Sequence, residues 1–299
     1  MKRFLILLLL FSGCETIIDI DIPEDEPRLV LNGFINPDST LSISLFQSMG
    51  ILETGEFRAV EAANVTVYDK DGVRIADLTD SGSGRYMSAF IPQVGQEYRI
   101  EASKSNFATV ESSDMIPSDS AEVISINLNI TESGFEGGGS GEYDIDFTIR
   151  DYAGADFYEV HVFERSVYEF DGQRYENFGN RFLESEDPVF DEFNSSGLGL
   201  LFGDALFDEG ELKITVSTYL NLGNNCDEVP ECLSEESFLI VRKVSESYFR
   251  YNRTLRLQQD LEGNPFAEPV SVFNNIKNGF GIFAGYRNST FLLEVPENQ

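Results

Sequence analysis

Apolar and polar positions alternate with a period of two along most of the chain, and this predicts strands rather than helices. A first series fills residues 28–116. Residues 28–35 form an apolar-rich run closed by Asn36-Pro37-Asp38-Ser39. Residues 40–46 put Leu41, Ile43 and Leu45 on one face. Residues 63–68 and 73–78 flank Asp69-Lys70-Asp71-Gly72, and Asp-Gly between alternating runs is a strong hairpin signal. Residues 97–102 continue the series, and Met115-Ile116-Pro117 marks its exit. Short strands at this spacing predict an immunoglobulin-like β-sandwich.

A second series follows. Ile124, Ile126, Leu128 and Ile130 alternate with Ser125, Asn127 and Asn129. Residues 143–149 and 157–163 read as paired strands. Residues 165–210 break the alternation, carry many aromatics and acids, and predict an irregular insertion with a short helix over 188–194. Strands return at 211–219 and 237–244. Val244, Tyr248, Tyr251 and Leu255 then follow helical spacing. A helix over about 245–262 is expected, with Ser245 as its cap and Glu246 in its first turn. Its outer side carries Arg250, Arg253 and Arg256, a possible partner contact on an acidic protein. Strands at 278–286 and 290–295 close the chain. The expected fold is mainly β: an N-terminal immunoglobulin-like β-sandwich, then a larger antiparallel β domain with one C-terminal helix.

The first fourteen residues have a different pattern. Lys2 and Arg3 precede an unbroken apolar run from Phe4 to Phe11, then Ser12, Gly13 and Cys14. This is the layout of a secretory signal, and it resembles a bacterial lipoprotein signal, cut before an acylated cysteine. The apolar run is far shorter than the roughly 20 residues of a membrane-spanning helix. The expected organisation is a signal peptide at 1–13, a lipid-anchored sandwich at 14–117 and a β-rich domain at 118–299, with a palmitate-type chain on Cys14. Ile18, Ile20 and Ile22 alternate with Asp19 and Asp21, so a strand is expected almost at once after the lipid, leaving little free tether.

Charge narrows the function classes. The chain carries 52 acidic against 21 basic residues, a net −31. Such a surface repels phosphate backbones, and nucleic acid is excluded as a partner. Of the three cysteines, Cys14 belongs to the signal, and Cys226 and Cys232 are expected to form a disulfide closing a short loop. Zinc would need more ligands than these two and His161, the single histidine. The glycine loop at 134–141 lacks the spacing of a nucleophile elbow or a phosphate loop. No catalytic residue, metal or cofactor is assigned, and the expectation is a non-enzymatic protein. A glycosidase-type carboxylate pair stays open, because so many acids offer pairs and single out none.

Several stretches together resemble one family. They are Cys14-Glu15 with its isoleucine strand, Leu31-Asn-Gly-Phe-Ile35 before Pro37, Val65-Thr-Val-Tyr68, the Tyr248/Tyr251 helix, Gly263-Asn-Pro-Phe-Ala-Glu-Pro-Val270 and Gly279-Phe-Gly-Ile-Phe-Ala-Gly-Tyr286. The chain resembles the DUF4249 lipoproteins of Bacteroidota, which have no assigned activity. The resemblance implies an outer-membrane lipoprotein, often paired with a TonB-dependent receptor. The function expected from it is a transport accessory or ligand-capturing partner of such a receptor, held in the outer membrane by the Cys14 lipid, with the cell-surface face preferred. The alternative is a structural or assembly-complex lipoprotein of the same membrane.

Overall fold

The computed structural model describes residues 26–50, 53–133, 140–191, 196–207, 209–222, 232–261, 266, 268 and 270–294. Period-two alternation produces seventeen strands among them, and helical spacing produces one helix. The strands are β1 (Leu29–Ile35), β2 (Ser42–Gln47), β3 (Asn64–Asp69), β4 (Arg74–Asp80), β5 (Arg85–Met87), β6 (Glu97–Ser103) and β7 (Val110–Met115), then β8 (Glu122–Ser133), β9 (Ser140–Arg150), β10 (Phe157–Phe170), β11 (Gln173–Asn180) and β12 (Leu183–Glu184). The last are β13 (Ser196–Gly197), β14 (Leu200–Gly203), β15 (Glu211–Asn221), β16 (Cys232–Val244) and β17 (Phe280–Leu293), with helix α1 (Glu246–Leu261) between the final two. The mainly β class is as the alternation implies, and the one helix among the described residues is as the helical spacing implies. No described helix is long and apolar enough to cross a membrane.

A twelve-stranded sheet runs in the order β11-β10-β16-β17-β1-β2-β5-β4-β3-β6-β7, with β14 also on β10. A five-stranded sheet runs β13-β12-β15-β9-β8. The first and last strands are neighbours: β1 pairs with β17 in parallel, Val30 opposite Phe280 through Ile35 opposite Gly285. The expected boundary at residue 117 falls between β7 and β8, and β17 crosses back over it. Ile276 and Phe283 are buried with Leu31, Ile43, Val67 and Ile100 in the core of the N-terminal strands. A second core forms where the five-stranded sheet faces β10 and β16, joining Ile145, Phe147 and Val216 to Val160, Val162 and Val241. Gly281 sits in β17 at φ 111°, a conformation side chains rarely adopt, and a Cβ there would strike the Leu31 carbonyl of β1.

Three expectations need correction. Residues 143–149 and 157–163 do not pair edge to edge. β9 lies between β8 and β15, and β10 lies in the other sheet. Alternate residues of both strands enter the same core, so the two stack face to face instead. The irregular insertion at 165–210 is in large part a hairpin, because β10 runs on to Phe170 and β11 folds straight back on it. The turn is Asp171-Gly172, both at positive φ (51° and 72°), the two-residue geometry that suits the twist of paired strands. Pro188 and Val189 form a turn rather than a helix; residues 192–194 lie outside the described set.

Candidate functional site

Helix α1 starts as its sequence dictates. Ser245 Oγ accepts the Tyr248 amide at 3.2 Å, which caps the first turn. Tyr248 is buried, with its ring against Phe34 at 5.1 Å and Tyr286 at 5.9 Å. Its hydroxyl donates to Glu159 Oε2 at 2.6 Å. Glu159 lies on β10, on the opposite face from the core residues Tyr158 and Val160, and is almost fully buried under the helix.

Four groups converge on that carboxylate. Arg256 Nη2 donates to Oε1 at 2.7 Å. Arg242 Nη1, from the paired position on β16, donates to Oε2 at 3.2 Å and to the Tyr248 hydroxyl at 2.7 Å. His161 Nε2 lies 2.8 Å from Oε2, off the angle of a good hydrogen bond, while Nδ1 donates to the Leu198 carbonyl at 2.9 Å. The Arg242 guanidinium also covers the Tyr286 ring at 4.1 Å. Burial alone would raise the Glu159 pKa. His161, Arg242 and Arg256 overcome it and hold the group down at about 2. Glu159 is therefore a permanent anion, unsuited to donating or taking a proton near neutrality, and the cluster serves to lock α1 onto the sheet.

This placement splits the arginine stripe. Arg250 is exposed, 3.5 Å from Glu246, with its guanidinium 4.3 Å over the Phe273 ring. Arg253 is exposed and donates to Asp191 at 2.9 Å. Arg256 does not belong to the outer face: it turns inward, where it pairs with the buried Glu159 and donates to the Gly199 carbonyl at 2.6 Å. Sequence reading missed Glu159 and Arg242. The available signal was two ionisable residues, 159 and 161, on one face of an otherwise apolar strand. Cys14 and Cys226 lie outside the described residues. Cys232 is disulfide-bonded and buried, opposite Tyr168 where β16 meets β10.

Beyond that lock, the β10–β11 hairpin reaches outward. All eight residues of β11 are exposed, and among the described strands it pairs only with β10. Its outer edge therefore leaves backbone amides and carbonyls unpaired. Phe170 and Phe178 are each 59% exposed, and Tyr175 and Phe182 are nearly as open. Phe178 stacks on Phe163 at 5.7 Å, and Arg165 ties the hairpin to Glu236 and Glu176 at 2.9 and 3.1 Å. The result is an exposed arm that carries aromatic side chains, a residue type enriched at the centres of protein interfaces. An open cleft lined by Arg28, Gln47, Asn106, Phe107 and Asn278 lies beside Glu26 and brings no buried polar groups together. The group of described side chains able to hold a metal is Asp151, Asp156 and Asp204, away from the arm at the other end of β10.

The sequence pattern of DUF4249, described as a domain of unknown function, matches residues 15–291. No curated protein matches the chain.

Proposed function

The chain belongs to the DUF4249 family, which brings no activity with it, and we propose, from what the resemblance implies and from the exposed arm, a lipid-anchored, non-enzymatic accessory protein that docks on a TonB-dependent receptor of the outer membrane. The observation that carries this reading is the exposed aromatic arm at the free edge of the twelve-stranded sheet. Exposed aromatics cost solvation in a free protein and are a common means of anchoring a partner. A lipid on Cys14 would hold the protein at the membrane in which such a receptor is embedded. The acidic surface argues against the lipid headgroups themselves as the partner, since anionic lipid repels it.

The test uses the full chain in its native membrane. Extraction in mild detergent is expected to bring down a TonB-dependent receptor with the protein. The double variant Phe170→Ser and Phe178→Ser is expected to keep its melting temperature within a few degrees and to reduce receptor recovery by on the order of tenfold or more. Extraction of the wild-type protein alone, or full recovery with the variant, would overturn the reading.

A further inference from the structure

Three aspartates meet where the two sheets lean together. Asp151 directly follows β9 of the five-stranded sheet. Asp156 directly precedes β10, and Asp204 directly follows β14, both in the twelve-stranded sheet. One carboxylate oxygen from each lies within 4.8 Å of the other two. A single calcium ion, with oxygen ligands at about 2.3–2.6 Å, can span such a set.

Their described partners include a hydroxyl, a backbone amide and one ammonium. The Tyr158 hydroxyl donates to Asp151 Oδ1 at 2.5 Å, and the Asp156 amide donates to Asp204 Oδ2 at 2.6 Å. Lys243 Nζ donates to Asp156 Oδ2 at 2.6 Å, but also to Asp119 Oδ2 at 2.7 Å. One ammonium is thus shared by Asp156 and Asp119. Asp151 is 3% exposed, and its Oδ2 is buried with no hydrogen-bond partner. An ionised oxygen left in that state is costly, and a bound cation would offset that cost.

We infer that Asp151, Asp156 and Asp204 form a calcium site that clamps the two sheets together, with Asp151 Oδ2 as the ligand that has no other partner. The donor set is all oxygen, which suits a hard cation and not zinc or copper. Magnesium, with bonds of about 2.1 Å, demands a tighter and more regular set than calcium does. Asp119 lies in the connection between β7 and β8, so Lys243 ties that connection to the same corner. The site is structural: bound calcium would fix the angle between the sheets, not perform chemistry.

Calorimetric titration of the EDTA-treated, detergent-solubilised full chain with calcium chloride tests this. One saturable ion per chain is expected, with Kd on the order of 10⁻⁴–10⁻³ M, the range of extracellular modules. At about a hundredfold excess over Kd, Tm should rise by about 5–10 °C. A protein with 52 acidic residues also binds calcium diffusely, so variants decide the place. Asp151→Asn with Asp204→Asn should lose the saturable phase and the Tm rise, whereas Glu169→Gln should keep both. Terbium(III) gives a readout that needs no folded double variant. The chain has no tryptophan, so Tyr158, bonded to Asp151, should sensitise terbium emission, and calcium should quench it by competition. Tyr158→Phe should lower that emission several-fold while leaving the calcium-induced Tm rise in place. No saturable binding up to about 10 mM calcium, a calcium response that survives in the double variant, or terbium emission indifferent to Tyr158→Phe would overturn the site.

Discussion

Glu159 carries its charge in a place water does not reach, and its two arginines share the burden unequally. Arg256 makes one short contact to Oε1, while Arg242 divides its donors among Glu159, Tyr248 and Asn288. Removing the anion leaves two guanidiniums facing each other under the helix. Glu159→Gln, nearly isosteric, is therefore expected to cost about 3–5 kcal/mol in urea denaturation at neutral pH, the range for breaking a buried pair from one side. The pH dependence has a definite sign. The folded pKa of about 2 lies below the ordinary 4.5, so the stabilisation is complete above about pH 4.5 and is lost as pH falls toward 2. The stability gap between wild type and Glu159→Gln should narrow across that window. A gap that stays constant from pH 5 to pH 2 would show that Glu159 keeps no special ionisation.

At the scale of the element, helix α1 shows what a local pattern reveals and what it hides. Its span, its cap and its Tyr248 face can be read from the sequence, because 3.6-residue spacing and a Ser-Glu start are local signals. The second use of Ser245 cannot. Its hydroxyl also donates to Asp114 Oδ2 at 2.6 Å, from a strand 131 residues earlier, and burial raises the pKa of that carboxylate. The two roles make opposite demands on a replacement. Ser245→Ala should cost about 1 kcal/mol or somewhat more, the usual value of a cap. Ser245→Asp, as good a cap in isolation, should be worse than alanine here, because it sets a second carboxylate against Asp114. Thermal melts of the two variants decide the order, and an aspartate variant as stable as wild type would mean that Asp114 is not coupled to the cap. The β10–β11 hairpin was missed for a different reason. Asp171-Gly172 carries a turn signal as strong as Asp71-Gly72, but the strands around it are exposed on β11's whole length, so apolar alternation, which reports burial, is absent there.

The whole molecule is organised by a contact that no window of sequence contains. β1 and β17 lie some 250 residues apart and pair in parallel, so the last strand completes the sheet that the first begins. Local alternation predicts both strands and cannot predict their partnership, since period two specifies a face and not a neighbour. The same limit explains why β9 and β10 read as a pair although they belong to different sheets. The N-terminal strands consequently depend on the far end of the chain. Without residues 276–285, Leu31 and Val67 lose Ile276 and Phe283 from their core, and β1 becomes a bare edge. A fragment of residues 26–117 is thus expected to show no cooperative thermal transition by circular dichroism. Joining residues 270–294 to its end through a flexible linker should restore one, because that segment brings back both the missing core side chains and the parallel partner of β1. A sharp transition in the bare fragment would mean that seven strands suffice and that β17 merely rests against them. The predicted dependence also ties the N-terminal strands to the rest of the protein. Any load taken up at the β10–β11 arm passes through β16 and β17 to β1, which is the first described strand after the proposed lipid. Continuous backbone hydrogen bonding along that path couples the first described strand to the arm at the far edge of the same sheet.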